Sequence, residues 1–202
     1  LLGSATNQLG IVVDLDLRPE GKNGPMSRTI ESHREYAQRW ASTWERQAAV
    51  RARPIGEGSL ADSARALFDE LAYGGVSESD VRDIRLLKAR MENERLPRGI
   101  EPARHVKLGP GGLTDVEWTI QLIQMRAGMN NPALRTPSTT QAILSAQEHE
   151  LISAQDAQTL LDAWDMATRI RAANTLASGR MSGVKLDVLP RDSAELRALA
   201  AI

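Results

Sequence analysis

The 202-residue chain contains no cysteine. That excludes a disulfide scaffold, a thiolate zinc site and a cysteine nucleophile, and it fits a cytoplasmic protein. Aromatic residues are scarce at 3%, with four Trp, two Tyr and one Phe. An excess of one charge is also missing: 25 Lys and Arg against 26 Asp and Glu leave a net charge of −1. This argues against a bulk electrostatic binder of nucleic acid. No apolar run approaches the ~18–20 residues of a membrane span, and no secretory leader is expected. Neither a Gly-x-Ser-x-Gly elbow nor His-Glu-x-x-His occurs. No repeat recurs at a period of ~20–50 residues. What remains is ordinary globular composition, 42% apolar and 25% charged, with enough length for one core or slightly more.

One run is strand-like: Ile11-Val12-Val13-Asp14-Leu15-Asp16-Leu17. From Val13 onward apolar and acidic residues alternate, the period of a half-buried strand. Both carboxylates then leave one face, just before the turn-rich residues 18–25. Beyond that the spacing predicts helix upon helix. The expected helices cover about 29–41, 43–53, 59–73, 77–96, 114–127, 138–149, 153–178 and 193–201. Pro54, Gly74-Gly75, Pro97, Gly128 and Gly179 are the stops. Ser59 with Asp62, and Ser77 with Asp80, resemble capping boxes with Asp in the acidic place. Thr114-Asp115-Val116-Glu117 reads as a full box. The fold class expected is mainly α. A single strand cannot form a sheet, so either its partners lie outside this chain or the run is no strand.

Three sets of residues could carry chemistry. Asp14 and Asp16 on one strand face suit Mg²⁺, which takes carboxylates, waters and phosphates; a pair of such ions can clamp an in-line phosphoryl displacement. The plainer reading is a solvated strand face. Leu2-Gly3-Ser4, separated from Asp14 by nine residues, fits the loose nucleotidyltransferase pattern. Arg18, Lys22, Arg51 and Arg53 are either a triphosphate clamp or surface charges. Lys107-Leu108-Gly109-Pro110-Gly111-Gly112 runs into a helix start, where N–H groups attract anions. Asp115 and Glu117 oppose that use and favour a tight turn with a capped helix. His33, His105 and His149 lack metal-ligand spacing, and Trp40, Trp44, Trp118 and Trp164 are expected in the core.

Three segments resemble a known family. Residues 13–25 carry V-D-x-x-L-R-P-x-G-x-x-G. Trp44-Glu45-Arg46-Gln47-Ala48 with Arg51-Ala52-Arg53 carries W-E-x-Q-A-x-x-R-A-R. Residues 107–117 carry K-x-G-x-G-G-x-x-D-x-E. In this order they are similar to glutamine synthetase adenylyltransferase (glutamate-ammonia-ligase adenylyltransferase). Residues 94–99 and 114–118 look more like its carboxyl-terminal, adenylylating half, of the actinobacterial type.

The resemblance implies a Mg²⁺-dependent enzyme that transfers AMP from ATP to a tyrosine of glutamine synthetase. The amino-terminal half removes it by phosphorolysis, and PII-type signalling proteins set the balance. It implies a polymerase-beta-type nucleotidyltransferase remnant over 1–56, with the third-acid strand, and a helical bundle over 57–202. Asp14 would be the third catalytic acid and a metal ligand, with Asp16 beside it. Arg18 would neutralise phosphate charge, and Lys22, Lys107, Gly109, Gly111 and Gly112 would face the nucleotide. Trp44, Glu45, Arg51, Arg53, Asp115 and Glu117 are matched positions without a role. The family's Gly-Ser and first two acids lie further upstream, so the chain is expected to be a fragment, inactive alone, and Gly3-Ser4 a coincidence. The other class of function is a non-catalytic helical module that docks glutamine synthetase or a PII-type regulator.

Overall fold

A computed structural model describes residues 15, 17–180 and 183–201. Among them are eight α-helices: α1 Ile30–Arg39, α2 Thr43–Ala49, α3 Ser59–Tyr73, α4 Glu78–Arg95, α5 Leu113–Ala127, α6 Thr139–Glu148, α7 Ala154–Ser178 and α8 Ser193–Ala200. No strand is present among the described residues, where one antiparallel bridge joins His105 to Val188. The protein is mainly α, as expected. The run expected as a strand lies outside the described residues except for Leu15 and Leu17, and neither of these is in a strand. None of the helices described is long and apolar enough to cross a membrane.

The helix boundaries follow local chemistry. Thr29, Ser77, Ser138 and Ser153 each accept a backbone N–H from the first turn. Ser77 with Asp80 forms the expected box. Gly179 ends α7 in the left-handed conformation, with φ 64°. Four expectations are corrected. The Ser59–Asp62 box does not form: Ser59 is the first residue of α3, whose N-cap is Gly58 with no side-chain cap bond. The cap of α2 is Ser42, one residue before Thr43. That helix ends at Ala49, and residues 50–52 tighten into i→i+3 turns, with N–H donations from Val50, Arg51 and Ala52 to Gln47, Ala48 and Ala49 at 3.2, 3.1 and 2.9 Å. The start of α5 has no capping box: Gly112 is its N-cap, and the Thr114 hydroxyl donates backward to the Lys107 carbonyl at 2.8 Å.

α5 is the central helix and buries two faces. Val116 and Ile120 pack with Leu134, Ala142, Ile143, Ala146 and Ala157 from the α6–α7 side. Met125 packs with Ala49, Val50, Ala72, Tyr73 and Ile84 from α2, α3 and α4. A helix apolar on both sides is a core helix. Trp118 and Trp164 pack against these clusters. Trp40 and Trp44 do not: they are 74% and 47% exposed. Trp40 lies past the last packed turn of α1, as its C-cap. The tail returns to the bundle, where Asn174 donates to the carbonyls of Leu186 and Val188 at 3.0 and 3.3 Å.

Candidate functional site

The turn that follows the acidic run closes on its own arginine. Arg18 Nε donates to the Gly24 carbonyl at 3.0 Å and Nη2 to the Lys22 carbonyl at 3.2 Å, while Nη1 reaches Leu15 O. Gly24 admits no side chain: a Cβ there would stand 2.0 Å from Pro19 O. The L-R-P-x-G-x-x-G pattern is thus a self-bonded loop. Leu17, Arg18 and Pro19 cover a cavity of about 320 Å³ that His33, Tyr36, Trp44 and Phe68 also line. Asp14 and Asp16 lie outside the described residues.

α2 is fixed at its start. The Ser42 N–H donates to Glu45 Oε2 at 2.8 Å, and the Tyr36 hydroxyl donates to Glu45 Oε1 at 2.8 Å. Glu45 therefore caps its own helix and ties it to α1. Arg46 reaches across to the Leu71 carbonyl at 3.3 Å, to Gly75 O, and to Asp80 Oδ2 at 3.4 Å. Thr43 donates to Asp80 Oδ1 at 2.9 Å. Asp80 is held below the usual carboxylate range, first by the Ser77 hydroxyl, with the Ser77 N–H, Thr43 and Arg46 adding and burial opposing.

The glycine segment 107–112 is wound tightly onto the start of α5. The N–H groups of Leu113, Thr114 and Asp115 donate to the carbonyls of Val106, Lys107 and Gly112 at 2.9, 3.0 and 3.0 Å. The Gly111 N–H donates to Asp115 Oδ2 at 2.7 Å. The donors that an anion would use are therefore taken by the loop itself. Gly109 is buried, and a Cβ there would meet Pro102 O at 2.0 Å and His105 O at 2.6 Å. Lys107 is exposed. His105 is 4% exposed, its Nδ1 accepts the Leu108 N–H at 3.1 Å, and burial pushes its pKa below 6.5. Lys88 grips Asp115 and Glu92. Burial pulls its pKa down, but the two carboxylates outweigh burial and hold it above the ordinary value.

The second and third motifs meet directly. Gln47 Nε2 donates to Gln121 Oε1 at 2.9 Å in the interior, and Arg51 pairs with Glu117. One pair steps four residues forward while the other steps four back, so α2 lies antiparallel to α5. The matched residues Arg51, Glu117 and Asp115 thus link segments, while Arg53 is simply exposed. Among the described residues no group of three His, Asp, Glu or Cys side chains could hold a metal ion. Sequence reasoning missed the Gln47–Gln121 pair; its only signal was an amide on the apolar stripe of each helix.

Comparison with known proteins places these segments. Residues 1–67 match the family model for glutamate-ammonia ligase adenylyltransferase, and residues 85–202 the model for GlnD PII-uridylyltransferase. Relatives match across both parts at once. The bifunctional glutamine synthetase adenylyltransferase/adenylyl-removing enzyme of Cutibacterium acnes is 45% identical over 99% of this chain and 20% of its own length. The enzyme of the same description from Streptomyces coelicolor is 47% identical over 94% of this chain and 19% of its own. That from Bifidobacterium longum subsp. infantis is 47% identical over 99% and 19%. The chain belongs to the glutamine synthetase adenylyltransferase family. It spans about a fifth of the length of the curated relatives it matches. Within the family, the motif pairings across α2 and α5 join the segment matched by the first model to that matched by the second, in one core.

Proposed function

We propose that this chain is part of a protein adenylyltransferase that moves AMP from ATP to a tyrosine of glutamine synthetase, and that in the whole protein another half removes it by phosphorolysis. The observation that carries this reading is identity of 43–47% over nearly all of the chain with relatives named for both activities. We assign the chain to the carboxyl-terminal, adenylylating half, acting in the cytoplasm on nitrogen assimilation, with glutamine synthetase and a PII-type protein as partners. The match of residues 85–202 to a model described as a PII-uridylyltransferase supports placing the PII contact on the helical part.

The reading gives Mg²⁺ to Asp14 and Asp16; among the described residues no side-chain cluster fits the ion. What the described residues supply is position. Arg18 bonds the loop after Asp14 into one shape, and the cavity walls from α1, α2 and α3 seat that loop on the bundle. A general base next to such a seated loop would be kept in reach of the proton it accepts. The test is a segment swap. This chain replaces the matching 192 residues of the Streptomyces coelicolor enzyme, and transfer of labelled AMP to glutamine synthetase is measured. Transfer by the hybrid, lost with Asp14→Asn while glutamine synthetase still binds, supports the reading. An unchanged rate removes Asp14 from the chemistry; removal without transfer reassigns the half.

A further inference from the structure

We propose that Arg28 is a positioning residue for AMP transfer, tying the turn that follows Asp14 to the helical bundle. The inference rests on the reading of Asp14 as the base of that transfer. The turn's own bonds fix its shape but not its place. The Gly21 and Gly24 N–H groups donate to the carbonyls of Arg18 and Gly21 at 2.8 and 3.1 Å, and Arg18 Nε donates to Gly24 O. All of these partners lie within the turn. Arg28 reaches the turn from outside. Its Nη2 pairs with the Glu20 carboxylate, and its Cζ sits 5.5 Å from the centre of the Tyr36 ring on α1. Glu20 also meets the Tyr36 oxygen through its backbone. The Tyr36 hydroxyl donates onward to Glu45, which caps α2. The turn, α1 and α2 thus converge on the Arg28 guanidinium and the ring beneath it.

Two features separate this contact from an ordinary surface ion pair. The Arg28 side chain is only 15% exposed, and its Nε is buried without a hydrogen-bond partner among the described residues. A donor sealed from water is a cost, so the placement does not maximise stability. Glu20 stands in the left-handed region, with φ 64° and ψ 11°, where glycine fits without strain. Its carboxylate is what glycine could not supply. Both costs fall on the two members of one pair, and such costs persist where position serves function. Arg18 follows Asp14 by four residues, so a turn that drifts carries the acid with it. A displacement of about 1 Å can lower a rate about a hundredfold.

The test uses the Streptomyces coelicolor enzyme carrying this chain in place of its matching segment, with kcat and KM measured for AMP transfer. Arg28→Met keeps bulk over the Tyr36 ring and drops the charge. It should lower kcat by about tenfold to a hundredfold, with KM for ATP and for glutamine synthetase held within about twofold. Its Tm should fall by less than about 3 °C. Arg28→Lys returns a cation to Glu20 and to the ring and removes the orphaned Nε, so it should recover most of the rate. Glu20→Gln should act as Arg28→Met does, and the two together should be no worse than either alone. In this chain by itself, Arg28→Met should speed amide exchange at Gly21 and Gly24 and leave α5 unchanged. A hybrid inactive before any substitution, or indifferent to Asp14→Asn, overturns the reading of Asp14 and this inference with it. Where Asp14→Asn abolishes transfer, the role of Arg28 alone is overturned by full kcat in Arg28→Met, no recovery with Lys, additive effects of the pair, or unchanged exchange in the turn.

Discussion

Removing the Asp80 carboxylate tests how α2 is held. Asp80 accepts from the Ser77 N–H at 2.9 Å, the Ser77 hydroxyl at 2.7 Å and the Thr43 hydroxyl at 2.9 Å, and it faces Arg46 at 3.4 Å. Loss of the capping box costs about 1 kcal/mol. Stranding the Thr43 hydroxyl costs about another 1 kcal/mol. The Arg46 pair, with both side chains about 20% exposed, adds no more than ~0.5 kcal/mol. Asp80→Ala should therefore lose about 2.5 kcal/mol in urea unfolding at neutral pH, or about 5–10 °C in Tm. Because the folded pKa is depressed, this stability is complete above the unfolded carboxylate value and disappears as pH falls through the folded one. The gap between wild type and variant should thus close in acid. A double-mutant cycle with Thr43→Val should show coupling of about 1 kcal/mol. A loss below ~0.5 kcal/mol, which is the ordinary range for surface changes, or a gap that persists in acid would refute the reasoning.

Other outcomes follow from the same contacts. Gly109→Ala should cost about 3 kcal/mol or more by urea unfolding, because the new Cβ meets two backbone carbonyls that cannot turn aside. Ile143→Ala, at a fully buried position, should cost about 2–5 kcal/mol in the same assay. Arg51→Ala should cost less than ~1 kcal/mol, since its side chain is 51% exposed where it meets Glu117. Burial lowers the pKa of both His105 and His33. Stability should be level above about pH 6.5 and should fall as pH drops through 6.5 toward the folded values. His105→Asn should make that decline shallower in a Tm-against-pH series.

The helix plan was legible because its signals are local. Thr29, Ser77, Ser138 and Ser153 mark starts by their own hydroxyls, and Gly128 and Gly179 mark stops. The three motifs were legible as patterns, but not as contacts. Nothing in the spacing of residues 44–53 or 107–117 says that Arg51 meets Glu117, or that Gln47 meets Gln121, because the register between two helices is set by packing. The same limit hid Ser42. Thr43 has an equally good capping hydroxyl, and only the reach of Glu45 back to the Ser42 N–H decides between them. Trp40 and Trp44 were misplaced because a large aromatic marks the core only where a neighbouring element covers it. The glycine loop reads in sequence as an anion cradle or, with Asp115 and Glu117 beside it, as a tight turn; the turn is what forms, with N–H groups spent on Val106, Lys107 and Asp115.

The most direct test of the account is AMP transfer by the Streptomyces coelicolor enzyme with this chain in place of its matching segment. The account predicts labelled glutamine synthetase with the unaltered segment, and a collapse of labelling with Asp14→Asn while glutamine synthetase is still bound. Labelling that survives Asp14→Asn at full rate would contradict it.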